Sequence, residues 1–180
     1  MPITDKGQKF RHEWKIEITP SDRIAIRQRM RAVARPDKHA KDGRYLIRSL
    51  YFDNANDKAL RIVDGKIDWM ANDSRELARE LYAKMRAQGL RPKTILDYDR
   101  EPFVYAPGNV RVTLDYNIRT GLNCTDFLNA DCATVPAGDA PIIPEVKWDD
   151  YLPTIIRDAV QLPGRRAGAF SKYAQCRIYM

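Results

Sequence analysis

The residues best suited to chemistry in this 180-residue chain are charged side chains set at alternate positions of short apolar segments. Arg11, Glu13, Lys15 and Glu17 alternate with His12, Trp14, Ile16 and Ile18. Arg111, Thr113 and Asp115 alternate with Val110, Val112 and Leu114, and Glu145 and Lys147 alternate with Val146 and Trp148. Ala169-Phe170-Ser171-Lys172-Tyr173 sets one more lysine in an apolar frame. A period of two places each charged set on one face of a strand. Cations turned inward in a sheet are unfavourable unless an anion meets them. Fixed cationic donors with a carboxylate for a divalent cation are what a triphosphate or polyphosphate chain requires. No nucleophile is needed, because positioning and charge neutralisation supply most of the catalysis. On spacing alone, the solvated rim of an ordinary antiparallel sheet explains these charges at least as well.

Other chemistries find little support. The chain has no GxxxxGK[ST] or GxGxxG loop, and its two histidines, His12 and His39, make a histidine-based mechanism a poor fit. Cys124, Cys132 and Cys176 form no CxxC pair, so free thiols and a reducing compartment are expected. A net charge of +7 and a pI near 9.4 favour an anionic partner. Nucleic acid is not expected, because base-stacking aromatics are not clustered with the basic strands. No stretch approaches the ~20 apolar residues of a membrane span. The start of the chain lacks an apolar signal core, so a cytoplasmic protein is expected.

The elements that must position these residues can be read in order. Residues 1–9 form a loose lead-in to a single domain spanning 1–180. Thr19-Pro20-Ser21-Asp22 starts an amphipathic helix that ends before Pro36, its arginines most simply a solvated face. Arg44 to Asp53 reads as a strand, residues 58–62 as a helical turn, and residues 75–88 as a helix stopped by Gly89. Lys93 to Tyr105 reads as a long strand bent at Pro102, joined through Pro107-Gly108-Asn109 to an antiparallel partner, Val110–Tyr116. Asp126-Phe127-Leu128 is a candidate short strand, and Pro144 suggests an edge or bulge. Helices are expected over residues 154–160 and 169–178.

Six segments in this order resemble the VTC domain family, the polyphosphate polymerase branch of the triphosphate tunnel (CYTH-like) enzymes. They are Arg11-His12-Glu13-Trp14-Lys15, Tyr45 through Asp53, Arg91-Pro92-Lys93 through Val104, Val110 through Asp115, Glu145-Val146-Lys147 and Phe170-Ser171-Lys172-Tyr173. The resemblance implies an α+β fold, a closed antiparallel β-tunnel with helices packed outside. It implies ATP and polyphosphate as partners and γ-phosphate transfer with Mn²⁺ or Mg²⁺. Carried over by motif, Lys15, Arg111 and Lys172 are phosphate-binding residues and Glu145 the metal carboxylate; Lys147, Arg100 and Arg48 are further contacts. One departure stands out. After Ala59-Leu60-Arg61 the family continues with more strands, which carry an Arg-x-Arg pair and a Lys-rich segment. Here Leu60 passes almost directly to Asp64-Gly65-Lys66-Ile67-Asp68-Trp69. The expected tunnel is therefore incomplete or open, with activity impaired. The alternatives are a non-catalytic polyphosphate- or nucleotide-binding module and a triphosphate hydrolase of the same superfamily. The resemblance leaves the oligomeric state open, including strands supplied in trans.

Overall fold

The computed structural model describes residues 11–54, 68–139 and 141–176. The expected helical turn at 58–62 and the junction where family strands are missing lie outside them. The described residues form an antiparallel sheet of seven strands that does not close on itself. The strands are β1 (His12–Lys15), β2 (Arg35–Pro36), β3 (Tyr45–Asn54), β4 (Leu90–Tyr105), β5 (Val110–Thr120), β6 (Val135–Pro136) and β7 (Ile143–Trp148). The order is β1-β7-β5-β4-β2, with β3 also on β4 and β6 also on β5. This is an α+β fold of the open-tunnel type.

Helix α1 (Pro20–Val33) begins in a capping box. The Thr19 hydroxyl accepts from the Asp22 backbone N–H, and the Asp22 carboxylate accepts from the Thr19 N–H. Such a cap stabilises a helix by about 1 kcal/mol. Helix α2 (Glu76–Gln88) ends at Gly89, whose φ of 64° is the left-handed stop expected of that glycine. Helices α3 (Thr154–Val160) and α4 (Lys172–Cys176) follow β7.

Alternation divides the sheet into two faces. Ile26 and Met30 of α1 and Ile156 and Val160 of α3 pack on Phe103, Val110, Val112, Leu114 and Val146, forming the main core. On the opposite face, a smaller core of Leu96, Ile118, Ala137, Ile143 and Cys176 closes one end, with Tyr51 and Phe170 against it. The rest of that face is polar.

Several expectations change. Strand β4 is continuous through Pro102; its register shift falls between Asp97 and Asp99, opposite Asn117, whose φ is 52°. This bulge reverses the alternation of β5, so Tyr116 joins the main core while Ile118 joins the smaller one. Pro144 sits in an interior strand, between β1 and β5. It is tolerated because it lies where β1 has ended, and its carbonyl accepts from the Ile16 N–H. Residues 126–128 form a turn, not a strand, and the described part of the last helix begins only at Lys172.

Candidate functional site

The polar face of the sheet holds an open cleft. Its wide part, about 660 Å³, is lined by residues including Lys15, Arg100, Glu145, Lys147 and Lys172. A narrower recess of about 120 Å³ shares Arg100, Glu145 and Lys147 with it and adds Arg11, Arg111 and Thr113. Strand register builds this set. Glu13 stands opposite Lys147, and Lys15 opposite Glu145, across the β1–β7 pair. Arg111 faces Lys147 across β5–β7, and Arg100 faces Asp115 across β4–β5. The mixed-charge face of β1 therefore lines the cleft instead of forming a solvated rim. Lys172 reaches the cleft from the first turn of α4, which is fixed by Tyr173. The Tyr173 ring stacks on Tyr51 at 5.0 Å, and its hydroxyl donates to Asp53 at 2.6 Å.

Asp115 is the centre of the ionic network. Its side chain is fully buried and accepts two bonds from Arg100, each 2.7 Å, while Lys172 Nζ lies 2.7 Å away. Both cations also stand over the Tyr98 ring, Arg100 at 5.2 Å and Lys172 at 5.0 Å. Burial alone would lower the Arg100 pKa, but the Asp115 hydrogen bonds and charge raise it, so Arg100 stays a cation. Burial also pushes the Tyr98 phenol up, which keeps it neutral. Asp115 lies on the alternating face shared with Arg111 and Thr113. That pattern shows its direction, whereas its two partners come from β4 and α4 and are brought to it only by the fold.

Lys147 Nζ lies 2.5 Å from Glu145 and 3.3 Å from Glu13, so an ammonium stands between two carboxylates. Burial works to raise the Glu145 pKa, but hydrogen bonds from its neighbours and the charges of Lys147 and Lys172 bring it below the ordinary carboxylate value. Lys172 is 3.8 Å from Glu145, and Lys15 is 3.4 Å from Glu13. Arg111 donates to the Tyr45 hydroxyl at 2.7 Å and lies 3.2 Å from Asp37. Its Nε is nevertheless buried without a hydrogen-bond partner, as is the Thr113 hydroxyl beside it. Unsatisfied buried polar atoms are rare in folded proteins, and two together in one recess mark a place where a ligand can bond.

The fold thus brings together Lys15, Arg100, Arg111, Glu145, Lys147 and Lys172. Arg48 stands apart. The β3–β4 register sets it opposite Asp97, which it grips with two bonds of 2.9 and 2.8 Å, and it also donates to the Asn129 carbonyl. Arg48 is thus held in an ion pair with Asp97 and lines neither part of the cleft.

Could the site hold a divalent cation? Among the described residues no group of three or more His, Cys, Asp or Glu side chains is placed to do so. Glu13 and Glu145 form a two-carboxylate set in which Lys147 already occupies a cation position. Two carboxylates fit a cation that completes its shell with phosphate oxygens and water.

An open antiparallel sheet with a cation-lined cleft and helices behind it makes an open, tunnel-like α+β fold. The VTC domain family model matches residues 57–180, more than two thirds of the chain, which therefore belongs to the VTC domain family. The match includes β4, β5, β7 and α4, hence Arg100, Arg111, Glu145, Lys147 and Lys172; β1 with Lys15 and β3 with Arg48 precede it. A search of curated proteins finds no match. Among the described residues no helix is long and apolar enough to cross a membrane.

Proposed function

We propose that this chain is a phosphate-chain domain that binds polyphosphate and ATP in the cleft and transfers the γ-phosphate of ATP to the chain terminus. The observation that carries this reading is the convergence of Lys15, Arg100, Arg111, Lys147 and Lys172 on one cleft beside the unpaired Arg111 Nε and Thr113 hydroxyl. Successive phosphates would align along the cations. The terminal oxygen of the chain attacks the γ-phosphorus, the bond from that phosphorus to the β–γ bridging oxygen breaks, and ADP leaves. The protein's contribution is alignment and neutralisation of the equatorial oxygens, which is most of what phosphoryl transfer needs. Glu145, with Glu13 beside it, would hold Mn²⁺ or Mg²⁺, and the cation would neutralise phosphate charge. The reading places the protein in the cytoplasm.

Incubation with ATP and Mn²⁺, resolved on a gel, tests the proposal. Chain-length ladders that disappear in Lys172→Ala and Arg111→Ala are expected; no polymer together with no loss of ATP refutes transfer. The open sheet favours a second reading, a binding module without turnover, because an unclosed wall admits water to the site. Calorimetric binding of tripolyphosphate that weakens in Arg111→Ala, with ATP left intact, selects it. Phosphate release from tripolyphosphate without polymer selects a hydrolase of the same superfamily.

A further inference from the structure

The helix-covered face of the sheet carries its own basic pocket. We propose that Arg23, Arg27, Arg31 and Arg44 form a second anion-binding site, separate from the cleft, for a compact phosphate compound of the size of orthophosphate or pyrophosphate. The four arginines line a recess of about 250 Å³ together with Asp42, Gly43, Glu101 and Tyr116. Three elements assemble it. Helix α1 presents Arg23, Arg27 and Arg31 at four-residue spacing on one stripe. The tight turn at Lys41–Gly43, with Asp42 at φ 56° and Gly43 at φ 75°, delivers Arg44 at the head of β3. Strands β4 and β5 supply the floor, Glu101 and Tyr116.

The charges do not balance within this recess. Glu101 accepts from Arg23 at 3.1 Å and from Arg27 at 2.7 Å, so one buried carboxylate serves two guanidinium groups. Arg31 has no ion pair among the described residues and is exposed. The Tyr116 hydroxyl, with the charges of Asp99 and Glu101, raises the Arg44 pKa above the ordinary arginine value. Four arginines thus meet two lining carboxylates, Glu101 and Asp42, with Asp99 acting on Arg44 from outside the recess. Arg23 sets its guanidinium carbon over the Tyr116 ring, 3.5 Å from the ring centre, a cation–π contact that holds the group in place. Its Nε–H is buried and has no hydrogen-bond partner. A guanidinium held against an aromatic ring with an unused donor, flanked by two arginines that form no salt bridge among the described residues, is suited to forked binding of phosphate oxygens.

The pocket lies back to back with the cleft. Arg100 faces the cleft and Glu101 the pocket; on β5 Asp115 faces the cleft and Tyr116 the pocket. An anion on one side therefore lies one residue along the backbone from the ionic network on the other. The site does not depend on the function proposed for the cleft.

Calorimetry with pyrophosphate on the whole chain tests the site. Wild type should show two classes of site. The double variant Arg31→Ala/Arg44→Ala should lose one of them, weakened at least tenfold, while Lys15→Ala/Arg111→Ala should lose the other. If the arginine double variant binds both equivalents unchanged, the second site is refuted; if only the Lys15/Arg111 variant is unchanged, the cleft reading fails and this one stands. Both variants are checked for folding by thermal melting. A readout that needs no substitution is the Arg23 Nε–H resonance of the wild type, which should shift on adding pyrophosphate; an unmoved resonance overturns the proposal.

Discussion

Replacing Asp115 with Asn should weaken the free protein and strengthen its hold on phosphate. Asp115 is fully buried and pairs with both Arg100 (two bonds of 2.7 Å) and Lys172 (2.7 Å). Asparagine keeps one acceptor, loses the charge and turns an NH₂ group toward two cations whose side chains are only 18% and 11% exposed. Removing one member of a buried ionic set costs about 3–5 kcal/mol. The cleft is open to water, so the lower end applies, about 3 kcal/mol. For a chain of this size that lowers Tm by roughly 6–12 °C. The same change releases Arg100 and Lys172 from their internal carboxylate, so tripolyphosphate no longer has to displace it. An affinity gain of about tenfold corresponds to about 1.4 kcal/mol. At a saturating, fixed tripolyphosphate concentration the ligand-induced rise in Tm should then exceed that of wild type by roughly 3–6 °C. Thermal melting with and without tripolyphosphate reads both effects in one experiment. An unchanged Tm, or a variant that binds tripolyphosphate more weakly than wild type, refutes the view that Asp115 holds the place of a ligand anion.

The remaining predictions concern the scaffold and its pH response. Gly108→Ala should lower stability far more than Gly89→Ala, as read by chemical denaturation. Both positions are left-handed, worth about 1–2 kcal/mol for a residue with a Cβ, but at Gly108 the new carbon would lie 2.4 Å from the Tyr151 carbonyl while at Gly89 it meets open space. Asp22→Asn should flatten the pH dependence of Tm below about pH 4 and leave tripolyphosphate binding unchanged. Hydrogen bonds from the Thr19 backbone and hydroxyl, then Arg165, hold the Asp22 carboxyl below its ordinary 3.8. A depressed carboxyl contributes fully at neutral pH and loses that contribution as the pH falls through the folded value. Arg48→Ala should lower Tm, because it strands the buried Asp97, yet leave tripolyphosphate affinity within about twofold of wild type; a loss of affinity as large as that of Arg111→Ala would place Arg48 in the cleft.

Local period was legible in the sequence, and partners distant in sequence were not. The faces of β1, β5 and β7 follow from alternation, which is why Lys15, Arg111, Glu145 and Lys147 could be named and do meet. Arg48 sits in an equally plausible strand, but its role is set by register with Asp97, 49 positions away. Arg23 and Arg27 look like the solvated face of an amphipathic helix until β4 carries Glu101 beneath them, 78 and 74 positions on. Asn117 reverses the phase of β5 through a left-handed residue, which no count of apolar positions reveals. The open edge of the sheet agrees with the strands missing from the sequence, although the junction itself lies outside the described residues.

Under the proposed function, phosphate binding in this cleft would be an exchange of anions. Arg100 and Lys172 are held by Asp115, Lys147 by Glu145 and Glu13, and Arg111 in part by Asp37. A closed tunnel would exclude water and strengthen every contact with a bound chain. In an open one the entering phosphates must compete with internal carboxylates and with solvent, so the net gain per contact is small. Binding then depends on chain length, because a longer phosphate chain engages several exchange positions at once and loses its translational freedom only once. Transfer makes a further demand, since the γ-phosphorus and the attacking oxygen must be aligned and water kept away. Affinity and turnover therefore separate here. Under the proposed function, the carboxylate-paired cations of the cleft would serve the first, and the second would depend on how much of the opposite wall the chain or a second copy can supply.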